Sequence, residues 1–205
     1  MTRLIIARHG NTFDPQQTPT RVGARTDLPL VEKGRAQAEA IGQYLKANQL
    51  IPDVIYSSHL QRTIETAKIA VKASGVSNPV YQLDIFNEID YGPDENKTEE
   101  QVIARIGKEA IEKWDKDADV PEGWLVDPDE IIKNWIDFAE QIRAHDDNET
   151  VLVVTSNGTA RFAPYITGDY EGFSKEHSIK LSTGALGILN FIDDKWQIQD
   201  WNLRL

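Results

Sequence analysis

The chain has no cysteine and only four histidines among its 205 residues. Without thiols it forms no disulfide bonds and uses no thiolate nucleophile. The lack of cysteine also agrees with a reducing compartment, and we therefore expect a cytoplasmic protein.

Long hydrophobic runs and an excess of positive charge are missing as well. No apolar run approaches the about 20 residues that span a bilayer. The apolar stretch of MTRLIIARHG is too short for a signal peptide and is interrupted by Arg8 and His9. The net charge of −11 argues against a general binder of nucleic acid or of anionic membranes. We expect neither partner, and an anionic substrate would need a local cluster of arginines.

What is present is typical of a globular α/β protein, with 40% hydrophobic and 27% charged residues. Apolar β-branched runs predict strands that alternate with amphipathic helices. The predicted strands are 4–8, 53–58, 80–86 and 150–156, with a terminal antiparallel hairpin of 184–192 and 196–202; the clearest helices are 33–48 and 58–74. This alternation predicts a mostly parallel central sheet in a three-layer α/β/α sandwich. We interpret residues 1–205 as one domain with a helical insertion at about 93–148.

Short polar motifs predict where several helices begin and end. Ser58 with Gln61, and Thr98 with Gln101, fit capping boxes. Asp127 before Pro128 predicts another helix start. Gly75 is placed to end the helix of residues 58–74.

Ligands of such sheets bind beyond the carboxyl ends of the strands. Four segments fall there in this chain, namely residues 8–10, 57–62, 86–88 and 155–158.

The first of these segments has the residues best suited to phosphate chemistry. His9 directly follows a buried strand, Arg8 can pair with a phosphate in bidentate fashion, and Gly10 permits close approach of a ligand. A neutral imidazole is a competent nucleophile toward phosphorus when its other nitrogen is held by a carbonyl. The alternative from these residues alone is a histidine that merely caps a strand.

Three segments of the chain form a recognisable set: RHGNT (8–12), RVGARTDLPLVEKG (21–34) and SSHLQRTIETA (57–67). Together they resemble the histidine phosphatase superfamily, which has the phosphoglycerate-mutase-like fold. Residues 84–92 (DIFNEIDYG) and 151–161 (VLVVTSNGTAR) resemble two further segments of that family.

The resemblance implies roles for particular residues. His9 matches the histidine that accepts the phosphoryl group, and Glu88 matches the acid that protonates the leaving oxygen and then activates water. Arg8 and Arg62 match the two arginines that clamp the phosphate, Arg21 matches a loop arginine at the pocket mouth, and Asn11 joins the predicted substrate-binding set. The alternatives are a surface salt bridge of Arg62 with Glu65 or another helix neighbour, a solvated loop carboxylate for Glu88, and a flexible surface side chain for Arg21.

The sequence departs from the family pattern at two positions. Ser156 stands where the family has a second histidine, so the site loses a charged donor, although Ser156 and Asn157 can each donate a hydrogen bond. We keep both in the predicted phosphate site. Pro15 stands where members often have asparagine. His59 and His177 are candidates to replace the missing histidine, and His145 is expected to be solvated.

We rank three interpretations of function. The first is a phosphomonoester hydrolase that forms a phosphohistidine on a small phosphorylated substrate, with no metal and no organic cofactor, because the sequence has no cluster of metal ligands. The second is a phosphate-binding pseudoenzyme or regulatory module. The third is a phosphoglycerate-type mutase.

Overall fold

The computed structural model describes residues 1–145 and 148–205, and a six-stranded sheet runs through its centre in the order β3-β2-β4-β1-β5-β6. The strands are Arg3–Arg8 (β1), Val54–Ser57 (β2), Val80–Gln82 (β3), Thr150–Thr155 (β4), Leu186–Ile192 (β5) and Lys195–Leu203 (β6). Strands β1 to β4 run parallel to one another, β5 runs antiparallel to β1, and β6 runs antiparallel to β5. The mostly parallel sheet is therefore confirmed.

Helices cover both faces of this sheet. The described α-helices are Glu32–Ala47 (α1), Gln61–Ser74 (α2), Glu99–Ile106 (α3), Lys108–Asp117 (α4), Pro128–His145 (α5), Asn157–Ala160 (α6) and Tyr170–Glu176 (α7). Short 3-10 helices occupy Asp84–Phe86, Gly92–Asp94 and Ala163–Thr167. None of the helices in the described part of the chain has the length and apolar content needed to cross a membrane.

Alternation along the strands divides the core into two clusters. In β1, Ile5 points to a cluster that includes Ile41 of α1, whereas Leu4 points to the opposite cluster, which includes Trp135 of α5. Each fully buried aliphatic side chain of this kind contributes about 1.5–3 kcal/mol to folding. Two buried faces on one strand explain why LIIAR is apolar without interruption, and they give the predicted three-layer α/β/α arrangement.

The terminal hairpin is confirmed. Asp193 and Asp194 form its turn, both with positive φ of 50° and 58°. The third predicted strand is wrong over residues 83–86. Its pairing ends when Leu83 donates to the Ser57 carbonyl, and the chain then turns into the 3-10 helix. This turn packs Phe86 against the ring of Trp135.

Three of the four predicted helix ends are confirmed. Thr98 and Gln101 form a reciprocal capping box, Asp127 accepts hydrogen bonds at the start of α5, and Gly75 ends α2 with φ of 93°. The capping box at Ser58 is wrong. Helix α2 begins at Gln61, whose backbone N–H donates to Asp27 instead.

The helices of the predicted insertion differ in what they pack against. Helix α5 forms the crossover from β3 to β4, and its Phe138 ring packs edge-on against Tyr56 of β2. Helices α3 and α4 lie in the remaining part of that insertion. The assignment of residues 1–205 to one domain stays a prediction.

Candidate active site

A cleft of about 700 Å³ opens at the carboxyl ends of β1 and β4. Six of the eight predicted site residues line it: Arg8, His9, Asn11, Arg21, Glu88 and Asn157. The other two, Arg62 and Ser156, are fully buried and do not line the cleft. The cleft is completed by the loop that follows β1 and by side chains of α3 and α4, including Glu99, Trp114 and Asp115.

His9 is held by contacts on both ring nitrogens. Its Nδ1 lies 2.8 Å from the Gly10 carbonyl oxygen, and its Nε2 lies 3.2 Å from Nε of Arg62. Because the arginine nitrogen can only donate and the carbonyl can only accept, the arrangement requires a proton on Nδ1 and a lone pair on Nε2.

The charge state of His9 follows from the same surroundings. Burial lowers the pKa of His9 well below its usual value of about 6.5, and the positive charges of Arg62 and then Arg8 lower it further. His9 is therefore neutral at physiological pH. Gly10 lets the two segments meet here, because a Cβ on it would lie 2.2 Å from the Gly34 carbonyl oxygen.

Arg62 is wholly buried and bound to main-chain carbonyls. Its Nη1 donates to Thr26 at 2.9 Å, and its Nη2 donates to Val22 at 3.1 Å. The alternative of a salt bridge with Glu65 is wrong, because Glu65 pairs with Arg35. Burial lowers the pKa of Arg62, and the charge of Glu88 partly offsets this effect.

Arg8 lines the cleft together with His9. Its Nη1 donates to the Leu181 carbonyl at 2.7 Å, while its buried Nε has no acceptor among the described residues. Burial lowers the pKa of Arg8, and Glu88 acts in the opposite direction. An anion beside His9 would supply the missing acceptor.

Glu88 is 6% exposed and accepts three backbone N–H groups, so the alternative of a solvated carboxylate is wrong. Its carboxylate binds the amides of Ile89, Gly158 and Thr159 at 2.9–3.2 Å. Gly158 permits this approach, since a Cβ there would lie 2.4 Å from Glu88 Oε1. Asp84, Asp90 and Asp94, its acidic neighbours in sequence, pair with other side chains and do not line the cleft.

Arg21 and Asn11 are also fixed in place. Arg21 forms a 2.7 Å ion pair with Glu99, and its guanidinium lies 5.2 Å from the Trp124 ring centroid. Its side chain is 15% exposed, so the alternative of a flexible surface residue is wrong. Asn11 Oδ1 accepts a hydrogen bond from the Thr183 hydroxyl.

The turn after β4 presents Asn157 to the cleft and keeps Ser156 behind it. Ser156 Oγ lies 3.5 Å from Nη2 of Arg62. Asn157 Oδ1 accepts from the Leu181 amide, and no described residue accepts a hydrogen bond from its Nδ2. Pro15 lines the cleft as well.

The remaining histidines do not replace the missing one. His59 pairs with Asp84 at 3.1 Å and is 48% exposed, and His177 stacks on Phe173. His145 is exposed, as predicted. Neither His59 nor His177 lines the cleft, so the expectation that one of them stands in for the second histidine is wrong.

Arg161 is a cleft residue that the sequence analysis did not single out. It is 1% exposed, and its guanidinium lies 3.9 Å from the Trp114 ring centroid. The signal in the sequence is that Arg161 ends the segment 151–161, which resembles a segment of the family. In residues 1–145 and 148–205, no group of three or more acidic, histidine or cysteine side chains is arranged to hold a metal ion.

Comparison with known proteins agrees with this geometry. The family model for the histidine phosphatase superfamily (branch 1) matches residues 4–204. The 2,3-bisphosphoglycerate-dependent phosphoglycerate mutase of Clavibacter sepedonicus is 37% identical over 128 residues, which are 62% of this chain and 50% of that protein. The chain thus spans about half the length of the curated relatives it matches.

Two solved structures share the fold over nearly the whole chain. The phosphoserine phosphatase of Entamoeba histolytica is 22% identical with a TM-score of 0.76, covering 98% of this chain and 97% of its own. A mycobacterial glucosyl-3-phosphoglycerate phosphatase is 20% identical with a TM-score of 0.78, covering 99% of both chains. At these identities the similarity to the two solved structures shows only that the fold is shared. The family is shown by the family model, which matches residues 4–204. The chain belongs to the histidine phosphatase superfamily, branch 1.

Proposed function

We propose that this protein is a phosphomonoester hydrolase that acts through a phosphohistidine formed on His9. The observation that carries the proposal is the neutral imidazole, whose proton is directed at the Gly10 carbonyl and whose Nε2 lone pair faces the buried Arg62, with the positive charge of Arg8 also acting on the ring. A pure anion binder needs the arginines but has no use for a nucleophile in this tautomer.

The first step transfers the phosphoryl group from substrate to His9. Nε2 bonds to phosphorus as the bond from phosphorus to the ester oxygen breaks, and Glu88 gives the departing oxygen its proton. For this to happen, Nε of Arg62 exchanges His9 Nε2 for a phosphate oxygen. The buried Nε of Arg8 is a second donor without an acceptor, and the two arginines neutralise the charge of the phosphoryl oxygens.

The second step returns the phosphoryl group to water. Glu88, now a carboxylate, takes a proton from the water that attacks phosphorus, and the bond from phosphorus to Nε2 breaks. Inorganic phosphate leaves, and both His9 and Glu88 regain their starting protonation. Glu88 is suited to a repeated proton transfer because three backbone amides fix its orientation toward the cleft.

Ser156 lowers the expected rate without removing the nucleophile. The positions near phosphorus lack the charged donor that a second histidine would provide, and Ser156 Oγ is turned toward Arg62. Loss of one such donor costs a factor of about 10²–10³ in kcat. The Nδ2 of Asn157 is the nearest uncharged substitute on this turn.

A mutase is the second candidate, favoured by the names of the curated relatives. A mutase would pass the phosphoryl group from His9 back to a hydroxyl of a phosphoglycerate rather than to water. We rank the hydrolase first because the matched segment covers only about half of those relatives.

The test combines phosphate release with trapping of the intermediate. Purified protein is assayed with an aryl phosphate, a panel of small phosphorylated metabolites, and a phosphoglycerate with 2,3-bisphosphoglycerate. Wild type is compared with His9→Ala and with the matched surface variant His145→Ala. We expect phosphate release and an acid-labile phosphoryl-protein in wild type and in His145→Ala, and neither in His9→Ala.

Three outcomes would overturn the proposal in different ways. No turnover by wild type over a wide pH range would favour the phosphate-binding pseudoenzyme. Isomerisation of the phosphoglycerate faster than phosphate release would favour the mutase. Undiminished turnover in His9→Ala would remove His9 as the nucleophile.

A further inference from the structure

The side-chain amide of Asn11 is held at one end and open at the other. Its Oδ1 accepts a hydrogen bond from the Thr183 hydroxyl, and both residues line the cleft that contains His9. None of the described residues accepts a hydrogen bond from the Nδ2 of Asn11. A carboxamide has an acceptor at one end and two donors at the other, so its orientation decides which of them meets a ligand.

Gln37 of α1 joins the two loops that carry Asn11 and Thr183. Its Oε1 accepts from the backbone N–H of Asn11 at 2.8 Å, and its Nε2 donates to the carbonyl and the hydroxyl of Thr183 at 3.1 and 3.3 Å. A backbone N–H can only donate and a carbonyl can only accept, so both contacts require the same orientation of the Gln37 amide. Gly184 permits this approach, because a Cβ there would lie 2.8 Å from the Cβ of Gln37.

The Thr183 hydroxyl transmits this orientation to Asn11. Its oxygen accepts from Nε2 of Gln37, and within the described part of the chain its proton has Asn11 Oδ1 as its acceptor and no other. A reversed Asn11 amide would place its NH₂ group against the hydroxyl oxygen, and the hydroxyl proton would lose its partner. The hydrogen bonds therefore run in one direction, from Gln37 through Thr183 to Asn11, and they leave Nδ2 of Asn11 for the cleft.

The main chain around Asn11 is held by contacts that do not involve Gln37. The Asn11 carbonyl accepts from the backbone N–H of Val31 at 3.1 Å, and the backbone N–H of Gly10 donates to the Thr66 hydroxyl at 3.1 Å. Anchoring of this loop therefore accounts for only part of what Gln37 does. Its further effect is on the side-chain amide of Asn11.

We propose that Gln37 is a positioning residue, which acts through Thr183 to hold Nδ2 of Asn11 toward a phosphoryl group bound at His9. Nδ2 donates a hydrogen bond to an oxygen of that group, whereas the reversed amide would present Oδ1 and repel it. The inference rests on the proposed function, because it takes a phosphoryl group as the ligand of the cleft. It does not depend on turnover.

Calorimetric titration of the full chain with inorganic phosphate tests the inference without catalysis. Gln37→Glu keeps an acceptor for the Asn11 backbone N–H but replaces the donor to Thr183 with an acceptor. The Thr183 hydroxyl then donates to the new carboxylate, the Asn11 amide reverses, and Oδ1 faces the anion. We expect the affinity for phosphate to fall about 10- to 100-fold, the size of a lost hydrogen bond to a charged group.

The matched control is Gln43→Glu, which adds the same charge at an exposed position of the same helix. We expect this variant to bind phosphate as wild type does. A loss as large as that of Gln37→Glu would assign the effect to the charge alone and overturn the positioning role.

Two further comparisons distinguish positioning from a general effect on the fold. In an Asn11→Ala background, Gln37→Glu should cost little further affinity, because the side chain through which Gln37 acts is gone. Thr183→Val removes the hydroxyl and should lower the affinity, whereas Thr183→Ser should restore most of it. If Gln37→Glu does not fold, the two Thr183 variants decide.

The outcomes separate this inference from the proposed hydrolase. The positioning role would be overturned by unchanged affinity in Gln37→Glu, by an equal loss with and without the Asn11 side chain, or by equal affinities of Thr183→Val and Thr183→Ser. It would also be overturned if wild type bound no phosphate. The expected pattern in a protein that turns over no phosphomonoester would support the positioning role and remove the hydrolase.

Discussion

Nε of Arg62 lies 3.2 Å from Nε2 of His9, and both side chains are buried. The residues are 53 positions apart in the chain, on the turn after β1 and in the first turn of α2. The contact fixes the lone pair of the nucleophile and places a permanent positive charge beside it. Through this one contact, Arg62 affects which nitrogen of His9 carries the proton, how readily His9 is protonated, and how strongly the site attracts phosphate.

Removal of the Arg62 charge should raise the pKa of His9. In Arg62→Gln, burial still holds that pKa below its usual value, but one of the two cations that lower it is gone. We expect NMR titration of the His9 ring to show the higher pKa, and kcat to fall by about 10²–10³. Arg35→Gln, at an exposed arginine paired with Glu65, is the control. A His9 pKa that does not change in Arg62→Gln would contradict the electrostatic coupling.

The buried neutral His9 should make the fold less stable in acid. Its pKa is lower in the folded chain than the unfolded value of about 6.5. Below that pH the unfolded chain binds one more proton, so the free energy of unfolding falls by up to about 1.4 kcal/mol per pH unit. Urea denaturation at pH 7.5 and 5.5 measures this in wild type and His9→Asn. We expect the stability of wild type relative to His9→Asn to decrease on acidification. If the difference in free energy of unfolding between the two proteins were the same at both pH values, the pKa of His9 would not be depressed.

Glu88→Gln should slow reactions of poor leaving groups more than those of good ones. An alkoxide needs its proton from Glu88, and losing a general acid costs about 10²–10⁴-fold. An acidic phenol leaves without that help. Rapid-quench measurement of the first turnover compares alkyl and aryl phosphates in Glu88→Gln, with Asp90→Asn as control because Asp90 pairs with Arg25 outside the cleft. Equal losses for both leaving groups would argue against the acid role.

The amide of that same Glu88→Gln variant also tests how the carboxylate is held. In wild type the carboxylate oxygens accept hydrogen bonds from the backbone N–H groups of Ile89, Gly158 and Thr159. In the variant, the NH₂ group of glutamine cannot accept, so two donors would face each other at one of these positions. We expect a loss of about 1–3 kcal/mol in the free energy of unfolding. Asp90→Asn again provides the comparison.

Ser156→His should raise kcat by restoring a charged donor near the phosphoryl group. Because Ser156 is fully buried next to Arg62, the larger ring should also lower the thermal midpoint, at a cost of about 1–3 kcal/mol. Steady-state kinetics and thermal denaturation on the same preparation measure both effects. Unchanged or lower turnover in a folded variant would mean that the pocket is built around Ser156 and Asn157.

The framework of the fold could be predicted from local patterns of residues. Apolar runs that are buried on both faces specify strands inside a sheet that is covered on both sides, because a half-buried strand would alternate. Polar residues that directly follow those strands must then lie at one edge of the sheet, which is why His9, Glu88 and Asn157 were predicted together. Helix ends that depend on local hydrogen bonds, such as the one at Thr98, could also be predicted. The predicted cap at Ser58 was wrong because Asp27, in a distant loop, accepts the hydrogen bond from the first residue of α2.

The hydrogen-bond partners of the charged cleft residues depend on how the folded chain packs. Arg62 binds the carbonyls of residues 22, 23 and 26, Ser156 Oγ lies beside Arg62, and Arg161 donates to the Trp114 carbonyl. The residues in these contacts are 36 to 94 positions apart. A side-chain donor takes whichever acceptor the packed chain brings within about 3 Å. Local sequence fixes the donor but not the acceptor, so the partners of Arg62, Ser156 and Arg161 follow from packing alone.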